Sequence, residues 1–257
     1  MNLHCNRRHL STTSLPKSPW LIGVFAGHLW LLAALWMVSP GAWAASSNDA
    51  ANASASSAKA SLATHATKDI KATRILVVGD SISAEYGIKR GTGWVALLAQ
   101  RIAKQGIAAS VINASISGDT TAGGRARLPS LIKRHKPGLV IIELGANDAL
   151  RGLPLNTTQA NLTAMVNMSQ TSGAKVLLLG MQVPPNYGQR YTAEFANVFT
   201  DTSATMGVPL VPFFLQNVAD AQDAPRLFQA DRIHPNELAQ PIMLGNMWPA
   251  LVRELAR

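Results

Sequence analysis

Five short apolar runs separated by helical patterns constrain the fold of this chain more than any other feature. The runs cover Arg74–Val78, Ala109–Ile112, Leu139–Leu144, Lys175–Leu179 and Pro209–Phe213. Short apolar runs of this kind are typical of strands that are buried on both faces. Strands that alternate with helices predict a parallel sheet with helices on both sides, which is an α/β fold.

The segments around these strands carry apolar residues at helical spacing. The predicted faces are Trp94, Val95, Leu97, Leu98 and Ile102; Leu128, Leu131 and Ile132; Leu162, Met165 and Val166; Tyr191, Phe195, Val198 and Phe199; and Ile242, Met243, Leu244, Met247 and Leu251. Asn156, with Gln159 three residues later, predicts a helix N-cap. Pro249 predicts a kink or a break in the last helix.

The N-terminal residues have the pattern of an export signal. A basic segment precedes the apolar run Leu21–Val38, and Ala42 and Ala44 fit the small-x-small rule for cleavage. We therefore interpret 1–44 as a signal peptide that is cut after Ala44. An uncleaved anchor is the alternative, because a run of this length just spans a bilayer. A twin-arginine signal at Arg7-Arg8 is a further option, although the residues after it match poorly.

Residues 45–72 are rich in Ala, Ser, Asn and Thr and contain no aromatic residue. This composition predicts a flexible linker, so that the folded domain covers 73–257. The single cysteine, Cys5, excludes an intrachain disulfide.

The chain of 257 residues carries a formal charge of +9, and beyond its first 17 positions 20 basic residues face 14 acidic ones. This excess suits transient contact with an anionic membrane surface. No Lys/Arg block typical of a nucleic-acid arm is present in the sequence, so we expect no nucleic-acid partner.

Polar clusters follow three of the predicted strands and precede the last helix. They are Gly79–Ser81, Asn113–Asp119, Gly145–Asp148 and Asp231–Pro235. Right-handed crossovers bring the carboxyl ends of parallel strands to one edge of the sheet, where ligands bind in open α/β folds. We therefore expect the four clusters to form one site.

The residue types in these clusters are those of nucleophilic catalysis. A serine needs a base to take its proton and a partner to orient that base, and Ser81, His234 and Asp231 supply the three. The Ser81 N–H, the Gly118 N–H and the Asn147 amide are candidate donors to an oxyanion. Taken singly, these residues also suit caps, turns and loops. Their combination at these strand ends favours catalysis.

Five sequence blocks extend this pattern over the whole predicted domain: GDSISAEYG (79–87), NASISGDTTAGGRARL (113–128), ELGANDALRG (143–152), VPPNYGQRYTAEF (183–195) and DRIHPNELAQP (231–241). In these blocks the chain resembles the SGNH (GDSL-type) hydrolase family. It is most similar to the bacterial periplasmic members with acyl-CoA thioesterase, lysophospholipase and arylesterase activity.

The resemblance implies a three-layer α/β/α fold with a flavodoxin-like, five-stranded parallel sheet. It also implies Ser81 as the nucleophile, the Asp231/His234 pair, and oxyanion donors at Ser81, Gly118 and Asn147. A member of this family is expected to need no metal ion or organic cofactor. It is also expected to be a monomer.

Two positions depart from the family pattern. Glu85 stands where close relatives usually have a small residue, and we expect its side chain to point outward. Ala146 replaces a common second glycine and could crowd the acyl path.

Three further acids have a structural interpretation. We expect Asp80 to order the serine turn. Asp119 and Asp148 resemble the paired acids of metal-dependent phosphoesterases, but no histidine set accompanies them, so no metal site is expected.

The segment Val183–Gln189 is either a turn or a loop that lines the substrate. The resemblance favours the second interpretation, with Pro184, Asn186, Tyr187 and Gly188 as substrate-binding residues. Its paired prolines stiffen the loop.

The sequence thus predicts an exported serine esterase, periplasmic or secreted, that acts on small-molecule substrates. The expected substrates are aryl and acyl esters, thioesters and lysophospholipids. Two alternatives remain open at this point. One is a carbohydrate O-acetylesterase with the same catalytic machinery, and the other is a non-catalytic, lipid-binding envelope protein.

Overall fold

The computed structural model describes residues 72–256, except the side chain of Pro185. The predicted signal peptide (1–44) and all but the last residue of the predicted linker (45–72) lie outside the described residues. No helix in the described part of the chain is both long enough and apolar enough to cross a membrane.

A single parallel sheet of five strands organises the described residues. The strands are β1 (Thr73–Gly79), β2 (Ala109–Asn113), β3 (Leu139–Glu143), β4 (Lys175–Leu179) and β5 (Leu210–Val211). Their order is β2-β1-β3-β4-β5, and every neighbouring pair is parallel. The predicted α/β class, three-layer arrangement and five-stranded parallel sheet are therefore confirmed.

Helices cover both faces of the sheet. They are α1 (Trp94–Lys104), α2 (Thr121–His135), α3 (Ala146–Leu150), α4 (Leu155–Thr171), α5 (Gln189–Met206) and α6 (Gln240–Ala256), with short 3-10 helices at Pro185–Tyr187 and Ala224–Leu227. Helices α1 and α6 pack together in one layer, while α2, α4 and α5 form the other. The central strands β1, β3 and β4 are almost completely buried between these layers.

Two local predictions are wrong, each for a definable reason. Helix α4 begins at Leu155 with Pro154 as its N-cap, so Asn156 lies inside the first turn. Strand β5 is shorter than predicted because Pro212, which has no N–H to donate, follows it directly. At Pro249, where a kink or a break was predicted, the break does not occur. Buried residues on both sides, such as Met247 and Leu251, hold α6 against the sheet.

Candidate active site

The four predicted polar clusters lie in loops that the sheet topology brings to one edge. Ser81 follows β1, Gly118 follows β2, and Asn147 stands in α3, directly after β3. His234 comes from the loop before α6, yet its Nε2 lies 3.0 Å from the Oγ of Ser81. Residues separated by 153 positions in the chain therefore meet at this edge.

Ser81, His234 and Asp231 form a continuous hydrogen-bonded chain. The Nδ1 of His234 lies 2.7 Å from Oδ2 of Asp231. The other oxygen of Asp231, Oδ1, accepts the backbone N–H groups of Ile233 and His234 at 2.9 and 3.0 Å. The hydrogen bonds from the His234 side chain and from these two N–H groups lower the pKa of Asp231 to about 2. Asp231 is therefore ionised at neutral pH and suited to hold an imidazole in one orientation.

The loop that carries His234 is shaped by its own backbone contacts. Arg232 adopts a left-handed conformation with φ of +58°, which allows the tight turn between Asp231 and His234. The Gln229 N–H donates to the His234 carbonyl at 2.8 Å, and its side-chain amide reaches the carbonyl of Tyr86 at 2.8 Å. These bonds connect the histidine loop to the serine loop.

The ring of Tyr86 packs directly on the imidazole of His234. The two ring centroids are 4.5 Å apart and the planes are inclined by 44°. Half of Tyr86 (51%) is exposed to solvent. We did not identify this residue from the sequence, because its contact with His234 joins segments that are far apart in the chain.

Two of the predicted oxyanion donors are backbone N–H groups with no hydrogen-bond partner among residues 72–256, those of Ser81 and Gly118. Gly118 has a φ of +77°, a conformation that glycine adopts without strain. The third predicted donor, the Asn147 amide, donates to Oδ2 of Asp80 at 3.0 Å. One of its two N–H groups is therefore used, and the other can serve a ligand.

Arg127 fastens the Gly118 loop to the sheet. Its Nε donates to Oδ2 of Asp119 at 2.7 Å, and its guanidinium also reaches the carbonyls of Gly79 and Ala114. Asp119 therefore serves an ion pair. Asp148 instead accepts the backbone and side-chain donors of Thr121. The two acids that suggested a phosphoesterase pair thus have separate structural partners.

Two buried carboxyl groups lie beneath the serine turn. Asp80 is 1% exposed, and its Oδ1 accepts the Ile82 N–H at 3.0 Å. Burial raises the pKa of Asp80 to about 6, although the Ile82 N–H, His234 and Asn147 act in the opposite direction. Glu143, at the end of β3, is fully buried, and burial together with the charge of Asp80 raises its pKa well above the ordinary value. Glu143 was missed in the sequence.

The predicted outward orientation of Glu85 is wrong. Its carboxylate accepts the N–H groups of Gly91 and Gly93 at 2.9 Å each, and it is partly buried. Gly93 is the N-cap of α1 and provides no side-chain acceptor, so Glu85 supplies the negative charge at this helix start.

The predicted substrate loop shares no hydrogen bond with Ser81, His234 or Asp231 among the described residues. Pro184, Asn186, Tyr187 and Gly188 are exposed around the 3-10 helix that leads into α5. The Tyr187 ring stacks on that of Tyr191 with centroids 6.2 Å apart. In the described part of the chain, no hydrogen bond or ring contact joins these four residues to Ser81 or His234.

Several known proteins are similar to this chain in sequence and in fold. The model of the GDSL-like Lipase/Acylhydrolase family matches residues 77–240. Esterase TesA of Pseudomonas aeruginosa is 52% identical over 185 residues, which cover 72% of this chain and 90% of that protein. The arylesterase of Vibrio mimicus is 42% identical over 182 residues, 71% of this chain and 90% of that protein.

A solved structure gives the same result for the fold. The psychrotrophic esterase EstA from Pseudoalteromonas sp., inhibited by monoethylphosphonate, aligns with a TM-score of 0.68 at 40% identity. The alignment covers 72% of this chain and 100% of that chain.

Proposed function

This chain belongs to the GDSL-like lipase/acylhydrolase family, and we propose that it is an exported serine esterase with Ser81, His234 and Asp231 as its catalytic triad. The observation that carries the proposal is the hydrogen-bonded chain from Ser81 Oγ through the His234 ring to Asp231, with distances of 3.0 and 2.7 Å. A hydroxyl within reach of an imidazole that a carboxylate orients is the arrangement that activates a serine.

In the first half of the reaction, the Oγ of Ser81 attacks the acyl carbonyl while Nε2 of His234 takes its proton. Asp231, which the low pKa keeps ionised, stabilises the imidazolium that forms. His234 then donates the proton to the departing alcohol or thiol, and the acyl group remains on Ser81.

Three donors stabilise the negative charge that develops on the carbonyl oxygen. They are the N–H groups of Ser81 and Gly118, both without another partner among the described residues, and the second N–H of the Asn147 amide. Each such donor contributes about 3–4 kcal/mol to the stability of the transition state.

The acyl-enzyme is hydrolysed by the same groups in reverse. Water attacks the acyl carbon, His234 takes the proton from that water, and the same proton then returns to Ser81 as the ester bond breaks. No step requires a metal ion or an organic cofactor, because the residues supply every proton and charge that the chemistry needs.

The proposed substrates are aryl and acyl esters, thioesters and lysophospholipids. Exposed apolar side chains at the site edge support apolar acyl groups, since Ile116 neighbours Gly118 and Leu150 ends the helix of Asn147. The exposed loop with Pro184, Asn186, Tyr187 and Gly188 is proposed as a further wall of the acyl site.

We further propose that the protein acts outside the cytoplasm as a monomer, periplasmic or secreted. The basic N-terminal segment, the run Leu21–Val38 and the small residues before Ala45 support cleavage of a signal peptide. The excess of basic residues supports transient contact with anionic membrane surfaces.

The test is hydrolysis of p-nitrophenyl esters from acetate to palmitate by the purified protein and by Ser81→Ala. We expect Ser81→Ala to lower kcat/KM by at least about 1,000-fold, and a fluorophosphonate to label only the wild type. Full activity in Ser81→Ala would refute the nucleophile. A steep preference for acetate with activity on acetylated sugars would indicate a carbohydrate O-acetylesterase. Tight fatty-acid binding without hydrolysis or labelling would indicate a lipid-binding protein.

A further inference from the structure

Glu143, the last residue of β3, is a buried carboxyl group that the proposed chemistry leaves unused. Its side chain is 0% exposed, and it pairs in register with Gly79, the last residue of β1. None of the ion pairs in the described part of the chain includes it. A carboxyl group without a cation in such a place requires an explanation.

One oxygen of Glu143 binds the residues on both sides of Ser81. Its Oε2 accepts the Ser83 hydroxyl at 2.6 Å and the Asp80 N–H at 3.3 Å. The Ser83 hydroxyl accepts the indole N–H of Trp94 at 3.2 Å in turn. Buried polar chains of this kind rigidify the segments that they join, so the turn from Asp80 to Ser83 is held to β3 and α1.

The glycine before Asp80 allows this close approach. A Cβ at Gly79 would lie 2.6 Å from the Ser83 Oγ and 2.7 Å from Oε2 of Glu143. Any larger residue would therefore push the carboxyl group away from the turn. Glu143 thus accounts for three residues of the sequence Gly-Asp-Ser-x-Ser. Gly79 leaves space for its carboxyl group, and the Asp80 N–H and the Ser83 hydroxyl donate to it.

The surroundings favour the neutral form of Glu143. Its Oε1 has no hydrogen-bond partner among the described residues, and burial with the nearby Asp80 charge raises its pKa. The charge of His234 lowers the pKa of the neighbouring Asp80, and the charge of Asp119 raises it. Arg127 donates to the Gly79 carbonyl and forms no ion pair with Glu143. A neutral acid costs far less to bury here than a carboxylate.

We propose that Glu143 is a positioning residue whose side chain holds the Asp80–Ser83 turn in the geometry that catalysis needs. The fixed turn aims the Ser81 Oγ at His234 and leaves the Ser81 N–H free for the oxyanion. This inference rests on the proposed esterase function. It requires only two accepted hydrogen bonds, which the side-chain carbonyl of glutamine can also accept and alanine cannot.

The experiment compares Glu143→Gln, Glu143→Ala and Ser83→Ala with the wild type in kcat, KM and the pH dependence of kcat for p-nitrophenyl acetate. We expect Glu143→Ala and Ser83→Ala to lower kcat about 10- to 100-fold with little change in KM, since misalignment affects the reacting atoms. Glu143→Gln should stay within about threefold of the wild type with the same acid limb of the profile.

A matched control is Ser169→Ala, which removes another buried hydroxyl, bonded to the Met165 carbonyl at 2.8 Å in α4, far from the site. We expect it to lower Tm and leave kcat unchanged. The same result for both Glu143→Ala and Ser83→Ala would assign Glu143 a purely structural role and overturn the proposal.

A loss in Glu143→Gln as large as in Glu143→Ala, or a shifted acid limb, would also overturn the proposal, because it would require an ionised carboxylate. If Glu143→Ala does not fold, Ser83→Ala and Glu143→Gln still decide the question. Failure of the esterase function itself is recognised separately, since the wild type would then hydrolyse no ester.

Discussion

The side-chain amide of Asn147 donates a hydrogen bond of 3.0 Å to the buried carboxyl group of Asp80. Asp80 precedes the proposed nucleophile and Asn147 is a proposed oxyanion donor, so this bond connects two parts of the site that come from different strand ends. It also sets the rotation of the amide, because a donor bound on one side directs its second N–H away from Asp80.

We expect Asn147→Ala to lower kcat about 100- to 1,000-fold, as the loss of one oxyanion donor does elsewhere. Asp80→Asn should lower kcat about 10- to 100-fold, because its NH2 group faces that of Asn147 and turns the amide away. Steady-state kinetics of both variants and of the double variant measure the coupling. The double variant should be little worse than Asn147→Ala alone.

The control for this double-mutant comparison is Asp201→Asn, which neutralises an exposed acid on α5. It should leave kcat unchanged. If Asp80→Asn costs as much in the Asn147→Ala background as in the wild type, Asp80 acts on catalysis by another route than Asn147.

The raised pKa of Asp80 predicts a specific dependence of stability on pH. Because the pKa in the folded state, about 6, exceeds the ordinary 3.8, Asp80 contributes stability that is complete below pH 3.8 and is lost as pH rises through 6. A difference of about two pKa units corresponds to about 3 kcal/mol. Urea unfolding from about pH 4 to pH 7 should show this loss in the wild type and not in Asp80→Asn.

The other carboxyl groups with shifted pKa values leave the sign of this comparison unchanged. The lowered pKa of Asp231 has the opposite sign, and its contribution is lost only as pH falls from 3.8 through about 2, outside the window. Glu143 adds a decline of its own, which is smaller in Asp80→Asn because this variant lacks the charge that helps to raise the pKa of Glu143. Equal slopes for the wild type and Asp80→Asn would contradict a raised pKa at Asp80.

The sheet and the meeting of Ser81 with His234 were predictable because both follow from pattern and topology. Buried strands are readable as apolar runs, and parallel strands necessarily end at one edge. The same reasoning failed where the local chemistry of one residue decides the boundary. Strand β5 is limited by the missing N–H of Pro212, and α4 begins at Leu155 rather than after Asn156.

The residues that support the site were not predictable because each depends on a contact between distant segments. Tyr86 meets His234, and Arg127 reaches the Gly79 carbonyl 48 positions away. Neither contact leaves a periodic signal. Glu143 was the exception that could have been found, since a charged residue ends an otherwise apolar strand. Such a residue has to be paired or neutral when it is buried.

Glu85 gives a prediction for stability. Alanine removes the acceptor for the Gly91 and Gly93 N–H groups and should lower the free energy of unfolding by about 1–2 kcal/mol, as the loss of a helix cap does. Glu85→Gly should be less harmful than Glu85→Ala, because φ is +59° and glycine adopts this conformation without strain. Urea unfolding measures the stability of both variants. A lower stability of Glu85→Gly than of Glu85→Ala would contradict this prediction.

Tyr86 gives a prediction for the leaving group. In the proposed mechanism His234 protonates the departing oxygen, so the leaving group comes close to the half-exposed Tyr86 ring, whose centroid lies 4.5 Å from that of the imidazole. An aromatic leaving group can pack on this ring, and such a contact contributes about 0.5–1.5 kcal/mol. Tyr86→Leu should therefore lower kcat/KM for phenyl acetate about 3- to 10-fold more than for ethyl acetate. Tyr86→Phe should retain the wild-type ratio of the two kcat/KM values. Because both esters give the same acyl-enzyme, their deacylation is identical, and a change in this ratio reports on the leaving group. An equal loss for both esters would mean that Tyr86 orients His234 without contacting the leaving group.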